Sequence, residues 1–394
     1  MTPNEQLAKL DELRLFNIPV KRVEGVELTT IEGKKLLDFV STGYLGFDFD
    51  PRLQERGMQY AARWGAICNW SRMEVDPEIY TSLEARLCRF LGAPQVLLSH
   101  TITITNFSVM PFLARGGVIF TDHIVHAVVW EACRLARDHG ARVEKFRHQD
   151  PNDLEDRLKK VDRDQRKIIA VDGVYSISSE IAPMKELNEL CNRYNAYLYV
   201  DDAHGFGVLG RAPDAEVPLG YGGAGVMSYN DVGYENTFYV SSFGKAFGTS
   251  TAFITIPERF DENLRANCTQ YLFSAPPSAY TAGTVDAALD LNQEVGDARR
   301  KVIVGLTRRF CAEVRALGFE VLNVANQPVV YVTIGSFDRF LVAARTLIDA
   351  GVLPGLRAYP LVPPDRCGFR FAISALHRPE QLDRVIEIFR KIAR

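Results

Sequence analysis

The 394-residue chain has no run of apolar residues long enough to span a bilayer. It also lacks an excess of either charge. Its 46 Lys and Arg against 49 Asp and Glu leave a formal net charge of −3 and a pI near 6.2, which gives no broad basic field for nucleic acid. The seven cysteines (Cys68, Cys88, Cys133, Cys191, Cys268, Cys311, Cys367) are odd in number, widely spaced and form no CxxC. A disulfide framework and a zinc knuckle are therefore not indicated, and reduced core thiols of a cytoplasmic protein are expected. There is no fixed-period repeat, low-complexity tract or long charge block. The start, MTPNEQLAKLDELRLFNIPV, carries no apolar h-region and reads as a polar lead into an amphipathic helix. What is present is a 47% hydrophobic content that can bury a large core, on a length that favours two or three structural units.

From about residue 85 to 255, short apolar runs alternate with amphipathic stretches, the pattern of a mostly parallel sheet with helices on both faces. VLLS at 96, GVIF at 117, KIIAVD at 167, AYLYVDD at 196 and TFYVSSFG at 237 read as strands. Behind Pro183, residues Met184, Leu187, Leu190, Cys191 and Tyr194 fall at helical spacing. This predicts a βαβ crossover that delivers Asp201 and Asp202 to a strand's carboxyl end, where open α/β sheets bind ligands. After SAPPSA (274–279) the texture changes, and a smaller α+β domain is expected over 287–394. Residues 1–45 read as an N-terminal arm with a hairpin in VELTTIEGKKLLDFV, and residues 46–286 as the large domain.

Two segments carry chemistry, VDDAHGFG (200–207) and VSSFGKAFGTS (240–250). A lone aspartate at a strand end commonly caps the next turn, and most lysines are solvated surface charges. Together, however, Asp201 and Lys245 supply what pyridoxal phosphate (PLP) needs as an electron sink: a carboxylate to pair with the protonated pyridine nitrogen and an amine to form an imine with the aldehyde. A free lysine, with a pKa of about 10.4, needs burial or nearby positive charge to act at neutral pH. His204 can reach the ring's phenolic oxygen. Ser241, Ser242, Thr249 and Ser250, with Gly244 and Gly248 allowing close backbone approach, suit a phosphate cradle. His126, at a strand-to-helix junction in TDHIVHAVVW, is placed to stack on a flat cofactor or to serve as an ordinary cap. Ser176 in DGVYSISSEIAP either meets the cofactor or forms a turn. A metal site from Asp201, Asp202 and His204 lacks a further ligand, so no metal is expected.

In this order the segments resemble the α-oxoamine synthase family of fold-type I PLP enzymes, most specifically at VYSISSEIAPMKEL, YLYVDDAHGFGVLG and SSFGKAFG. The resemblance covers essentially the whole chain. It implies an α/β fold, with a large domain on a mostly parallel seven-stranded sheet and a small C-terminal α+β domain. It makes Lys245 the Schiff-base lysine, Asp201 the partner of the ring nitrogen, His204 a neighbour of the phenolic oxygen and His126 the stacking residue. Ser176 matches a serine near the cofactor, and Ser242 stands where the family usually has a phosphate-binding Thr. Arg370 in GFRFAISALH matches the arginine that grips the substrate carboxylate, a pairing suited to a guanidinium fork. Homodimers with active sites at the subunit boundary are implied as well.

Several positions depart from the family pattern. Asn-x-Tyr-Leu-Gly appears as Thr42, Gly43, Tyr44, Leu45, Gly46, which leaves Thr42 and Tyr44 near the substrate carboxylate without the usual amide. The Ser-Gly-aromatic turn at the phosphate is replaced by Thr101, Ile102, Thr103, with Asn106 retained, and His-x-x-Leu-Glu becomes Tyr80 to Glu84. The segment that reaches the neighbouring subunit's phosphate is shortened to Phe273, Ser274, Ala275, Pro276, Pro277. The expected activity is decarboxylative condensation of a small α-amino acid with an acyl thioester, on CoA or a carrier protein, to an α-aminoketone. Transamination or retro-aldol cleavage on the same scaffold, or a noncatalytic partner subunit, are the alternatives.

Overall fold

The structure, a computed structural model, describes residues 2–393. Three strands open the chain: β1 (Val20–Glu24), β2 (Glu27–Thr30) and β3 (Lys35–Phe39). Next come β4 (Gln95–Ser99), β5 (Val118–Asp122), β6 (Arg142–Phe146), β7 (Lys167–Asp172), β8 (Tyr197–Asp201), β9 (Thr237–Ser242) and β10 (Ala252–Ile256). The last are β11 (Glu320–Leu322), β12 (Val329–Gly335), β13 (Val352–Arg357) and β14 (Cys367–Ala372). Packing divides the chain into two units. The larger comprises Asp50–Tyr175 and Ile181–Asp297; the smaller comprises Met1–Phe49, Ser176–Glu180 and Ala298–Arg394.

The larger unit is built on a seven-stranded sheet in the order β4-β10-β9-β8-β7-β5-β6. Neighbours from β6 to β9 pair in parallel, whereas β10 runs against both β9 and β4. Six strands therefore share one direction. Every residue of β5, β7 and β10 is buried, which is why β5 and β7 read as continuous apolar runs rather than alternating ones. The expected crossover is present: β7, the helix Met184–Tyr194 and β8 form a parallel βαβ unit, and the register sets Asp172 beside Asp201. β6 and β10 had no counterpart among the strands read from sequence. β6 is an edge strand whose Arg142, Glu144 and Lys145 break any apolar run, and β10 adjoins the turn that carries Lys245.

The helix Ala279–Leu291 lies on Pro51–Trp64. Arg86 bridges this helix at two points, to Asp286 and Asp290, each at 2.6 Å. The expected domain boundary near 287 thus falls inside a helix that packs within the larger unit, and the change of unit comes at Asp297.

The smaller unit has its own seven-stranded sheet, ordered β1-β2-β3-β13-β14-β12-β11. Only β3 and β13 pair in parallel. The N-terminal hairpin read from sequence is present as β2 and β3, but it joins strands more than 300 residues away instead of standing as a separate arm. The helices Phe337–Asp349 and Pro379–Ile392 bury Phe340, Leu347, Leu382 and Phe389 with Val330, Phe369 and Phe371 of the sheet. Burial at this scale contributes about 1.5–3 kcal/mol per large side chain. Helix Pro3–Glu12 starts from a reciprocal cap in which Thr2 Oγ1 accepts from Glu5 N and the Glu5 carboxylate accepts from Thr2 N at 2.7 Å.

Candidate active site

In the larger unit the parallel strands end in carboxylates: Asp122 on β5, Asp172 on β7 and Asp201 on β8, followed by Asp202. Each is held differently. Asp122 accepts from Ile124 N, Gln149 N and His148 Nδ1 at 2.9–3.0 Å. Burial pushes its pKa up, but these donors outweigh burial and hold it below the ordinary carboxylate range. Asp202 is fully buried and accepts from Val226 N and Tyr239 Oη, both at 2.8 Å. Burial pushes its pKa up to about 7. Gly225 leads into this contact at φ 95°, and a Cβ there would lie 2.0 Å from Tyr239 Oη, so the position requires glycine.

Asp201 is buried at the end of β8. Its Oδ2 accepts from Asn106 Nδ2 at 3.0 Å and its Oδ1 from Ala203 N at 3.2 Å. Asn106 is oriented in turn by Tyr199 Oη, which donates to its Oδ1 at 2.8 Å, and it also donates to Ile102 O at 2.9 Å. One amide therefore ties Asp201 to the start of the helix Ile102–Leu113. Thr101 caps that helix through Oγ1, which accepts from Ile104 N at 3.2 Å. Thr101, Ile102 and Thr103 thus form a helix amino terminus, a natural seat for phosphate. Asp172 is raised well above the ordinary range, first by burial and then by the charge of Asp201; His126 N–H and the Lys245 ammonium act against both.

His126 N donates to both Asp172 oxygens at 3.0–3.1 Å. Its Nδ1 accepts from Val128 N at 3.3 Å and caps the helix Ala127–Asp138. The cap and stacking readings of His126 are compatible, because the cap fixes an exposed ring. His204 is buried and Lys245 half-buried, in the turn between β9 and β10. Of the hydroxyls proposed for a phosphate cradle, Ser241 donates to Asp202 O at 3.0 Å and Thr249 pairs with Thr284, both facing inward. Ser242 donates to Thr251 O at 3.1 Å and accepts from Gly244 N at 3.0 Å, shaping the lysine turn. Ser274 is exposed. The segment after it is pinned by His100 to Ala275 O and by Tyr80 to Pro277 O, which gives the departing Tyr80 a structural role.

In the smaller unit, Arg370 on β14 faces Gly355 and Tyr331 in register. Its Nη1 lies 3.4 Å from Ser176 O, and among the described residues its buried Nε has no acceptor. A half-buried guanidinium whose Nε is buried and unused is the arrangement that a carboxylate completes. Tyr44 is buried beside it: burial raises the phenol's pKa and the Arg370 charge lowers it. Thr42 O accepts from Tyr44 N at 2.8 Å. Arg357, not singled out from sequence, is pushed down to about 10 by burial and by the Arg370 charge.

The larger unit thus collects Lys245, Asp201, His204, His126, Thr101, Ile102, Thr103, Ser242 and Ser274, and the smaller collects Arg370, Tyr44, Thr42 and Ser176. Asp172 could have been found from its own strand-terminal pattern, VDG beside VDD. The residues present fit PLP. The charge of Asp201 adds to burial in raising the pKa of both Asp172 and Asp202; such a place calls for a cation, which a protonated pyridine nitrogen supplies, and a helix start tied to Asp201 suits the phosphate. No cluster of three or more His, Cys, Asp or Glu side chains that could hold a metal ion occurs among the described residues.

Comparison with known proteins matches residues 72–389 to the aminotransferase class I and II family. The chain is similar to the 8-amino-7-oxononanoate synthase of Methylobacillus flagellatus, at 32% identity over 97% of this chain and 94% of that one. It is similar to that of Herminiimonas arsenicoxydans at 33% identity, over 90% and 89%. Among solved structures, serine palmitoyltransferase from S. paucimobilis shares the fold, with a TM-score of 0.87 at 24% identity over 99% and 96% of the two chains.

Proposed function

Because this chain belongs to the aminotransferase class I and II family, and within it to the α-oxoamine synthases, we propose that Lys245, Asp201, His126 and Arg370 serve its PLP-dependent condensation of an amino acid with an acyl thioester. PLP, when bound, supplies an aldehyde for the amino acid's nitrogen and a cationic ring that absorbs the electron pair left at the α-carbon. The reaction joins the thioester's acyl carbon to that α-carbon. One proton is consumed, and the α-aminoketone, carbon dioxide and a free thiol are released.

Asp201 keeps the ring nitrogen protonated, and Asn106 and Ala203 N fix its two oxygens so that it need not reorient. The Lys245 amine binds the cofactor and later moves the α-proton. His126, with its ring locked by the helix it caps, covers one face of the cofactor. The amino terminus of Ile102–Leu113 receives the phosphate, assisted by Ser242 and Ser274, while His204 and Ser176 complete the cofactor's surroundings. Arg370 holds the amino acid's carboxylate, with Thr42 and Tyr44 beside it. We further assign the protein to the cytoplasm as a homodimer. The cytoplasmic assignment is supported by seven free cysteines, six of them buried. No helix of the described residues is long and apolar enough to cross a membrane.

The observation that carries this reading is the register of β7 on β8, which sets Asp172 beside Asp201 at the carboxyl end of the sheet, within reach of the Lys245 charge. The test supplies the PLP-loaded protein with glycine, alanine or serine and an acyl-CoA. Thiol release is expected; keto-acid formation without thiol would point to transamination instead, and neither product would favour a noncatalytic subunit.

A further inference from the structure

The smaller unit carries an apolar groove of about 470 Å³ that none of the roles above uses. Its size falls in the range of small-molecule sites. Leu28 on β2, Asp38 and Val40 at the end of β3, and Leu353, Gly355 and Arg357 on β13 contribute to its lining. The segment Leu15 to Val20 forms the wall. Parallel pairing sets Leu353 beside Asp38, and side chains two residues apart share a face of a sheet. Val40 and Val20, both on its lining, are 40% and 37% exposed.

The floor continues toward Arg370. Gly355 is the register partner of Arg370, so both lie on the same face, and a Cβ on Gly355 would meet Arg370 Cβ at 3.5 Å and Arg357 Nη1 at 3.4 Å. Of the lining residues only Arg357 is basic, and it sits at the Arg370 end, donating to Leu356 O at 2.9 Å. The trough is therefore basic where it meets the carboxylate anchor and apolar along the rest, apart from the carboxylate of Asp38, which is anchored to Val40 N and Ser41 N.

We propose that this groove binds the hydrocarbon chain of the acyl thioester, and that the chain it selects is an uncharged alkyl group of medium length. The proposal rests on the condensation reading. The new carbon–carbon bond forms on the carbon that bears the carboxylate, so the incoming chain must lie beside whatever holds that carboxylate. From Arg357 to Leu353 the strand rises about 13 Å, enough for an extended chain of roughly eight to ten carbons. A chain ending in a carboxylate would find no cation at the far end and would approach Asp38.

S-alkyl pantetheines test this, because the pantetheine arm is common to CoA and to carrier proteins. Binding to the PLP-loaded protein, measured by calorimetry, is expected to tighten about threefold for each added methylene up to roughly eight carbons, and to weaken at least about tenfold when the chain ends in a carboxylate. Val40→Asp, at an exposed position, is expected to flatten the chain-length dependence while leaving α-proton exchange of the amino acid in deuterated water unchanged. Leu353→Asp should do the same. Binding indifferent to chain length, or a Val40→Asp protein with the wild-type dependence, would overturn the groove assignment. So would a Val40→Asp protein whose only change is loss of self-association, which would give the groove to a second copy. In these cases persisting α-proton exchange would leave the condensation reading standing. Absence of exchange with every amino acid would instead remove the reading itself.

Discussion

The carboxyl ends of β5, β7 and β8 and the face of β13 and β14 are opposites in charge. The first ends three neighbouring strands in Asp122, Asp172 and Asp201, with Asp202 following; the second sets Arg357 beside Arg370. In each, like charges are crowded together, buried at the strand ends and half-buried on β13 and β14, at a cost that shows in Asp172, which is driven up, and Arg357, which is driven down to about 10. Folding alone gains nothing from such crowding. What it supplies is a site for a cation in one region and for an anion in the other. On the proposed function, the cofactor ring belongs to the strand ends and the amino acid's carboxylate to the arginines.

The largest effect that could break this comparison is expected from Lys245→Ala. Condensation should fall by about 10⁴-fold, while PLP remains bound noncovalently, read as retained cofactor absorbance that borohydride reduction no longer converts into a pyridoxyl group attached to the protein. Asp201→Asn should lower kcat by about 10²–10³-fold with little change in the KM for the amino acid, and Asn106→Ala, one contact removed, by about tenfold. Arg370→Lys should act in the other direction, raising that KM by about 10–100-fold with a smaller change in kcat. If steady-state kinetics found Asp201 and Arg370 variants altering the same parameter, the division of labour would fail.

The smallest effect concerns stability. His377 is buried in the smaller unit, stacked on Phe39 at 4.3 Å; its Nδ1 accepts from Ser374 N, and its Nε2 lies 3.0 Å from Asp38 O. Burial lowers its pKa to about 4. The unfolded chain therefore binds a proton that the folded chain does not, between about pH 6.5 and 4. Stability should decline across that window as pH falls, by roughly 1.4 kcal/mol per pH unit from this group. Urea titrations of wild type and His377→Gln should diverge most at neutral pH and converge toward pH 4.

Much of this was legible in the sequence because the relevant signals are local. Asp201 to His204 lie on one strand end, Lys245 lies on one turn, and the helix at Met184 follows from its own periodicity and Pro183. Relationships across long separations were not legible. Asn106 and Asp201 are 95 residues apart, and nothing in ITITNF announces that its amide will orient a strand-end carboxylate. Asp172 gains its raised pKa only from the register of β7 on β8. Arg357 belongs to an unremarkable GLR and acquires meaning when β13 pairs with β14. The inward turn of Ser241 and Thr249 reflects strand parity and helix contacts that composition does not encode.

The most direct test reduces the PLP-loaded protein with borohydride, digests it and maps the pyridoxyl-modified peptide by mass spectrometry. Modification at Lys245, abolished when the amine is removed, is the result expected. Modification at another lysine, or none despite bound cofactor, would contradict the account.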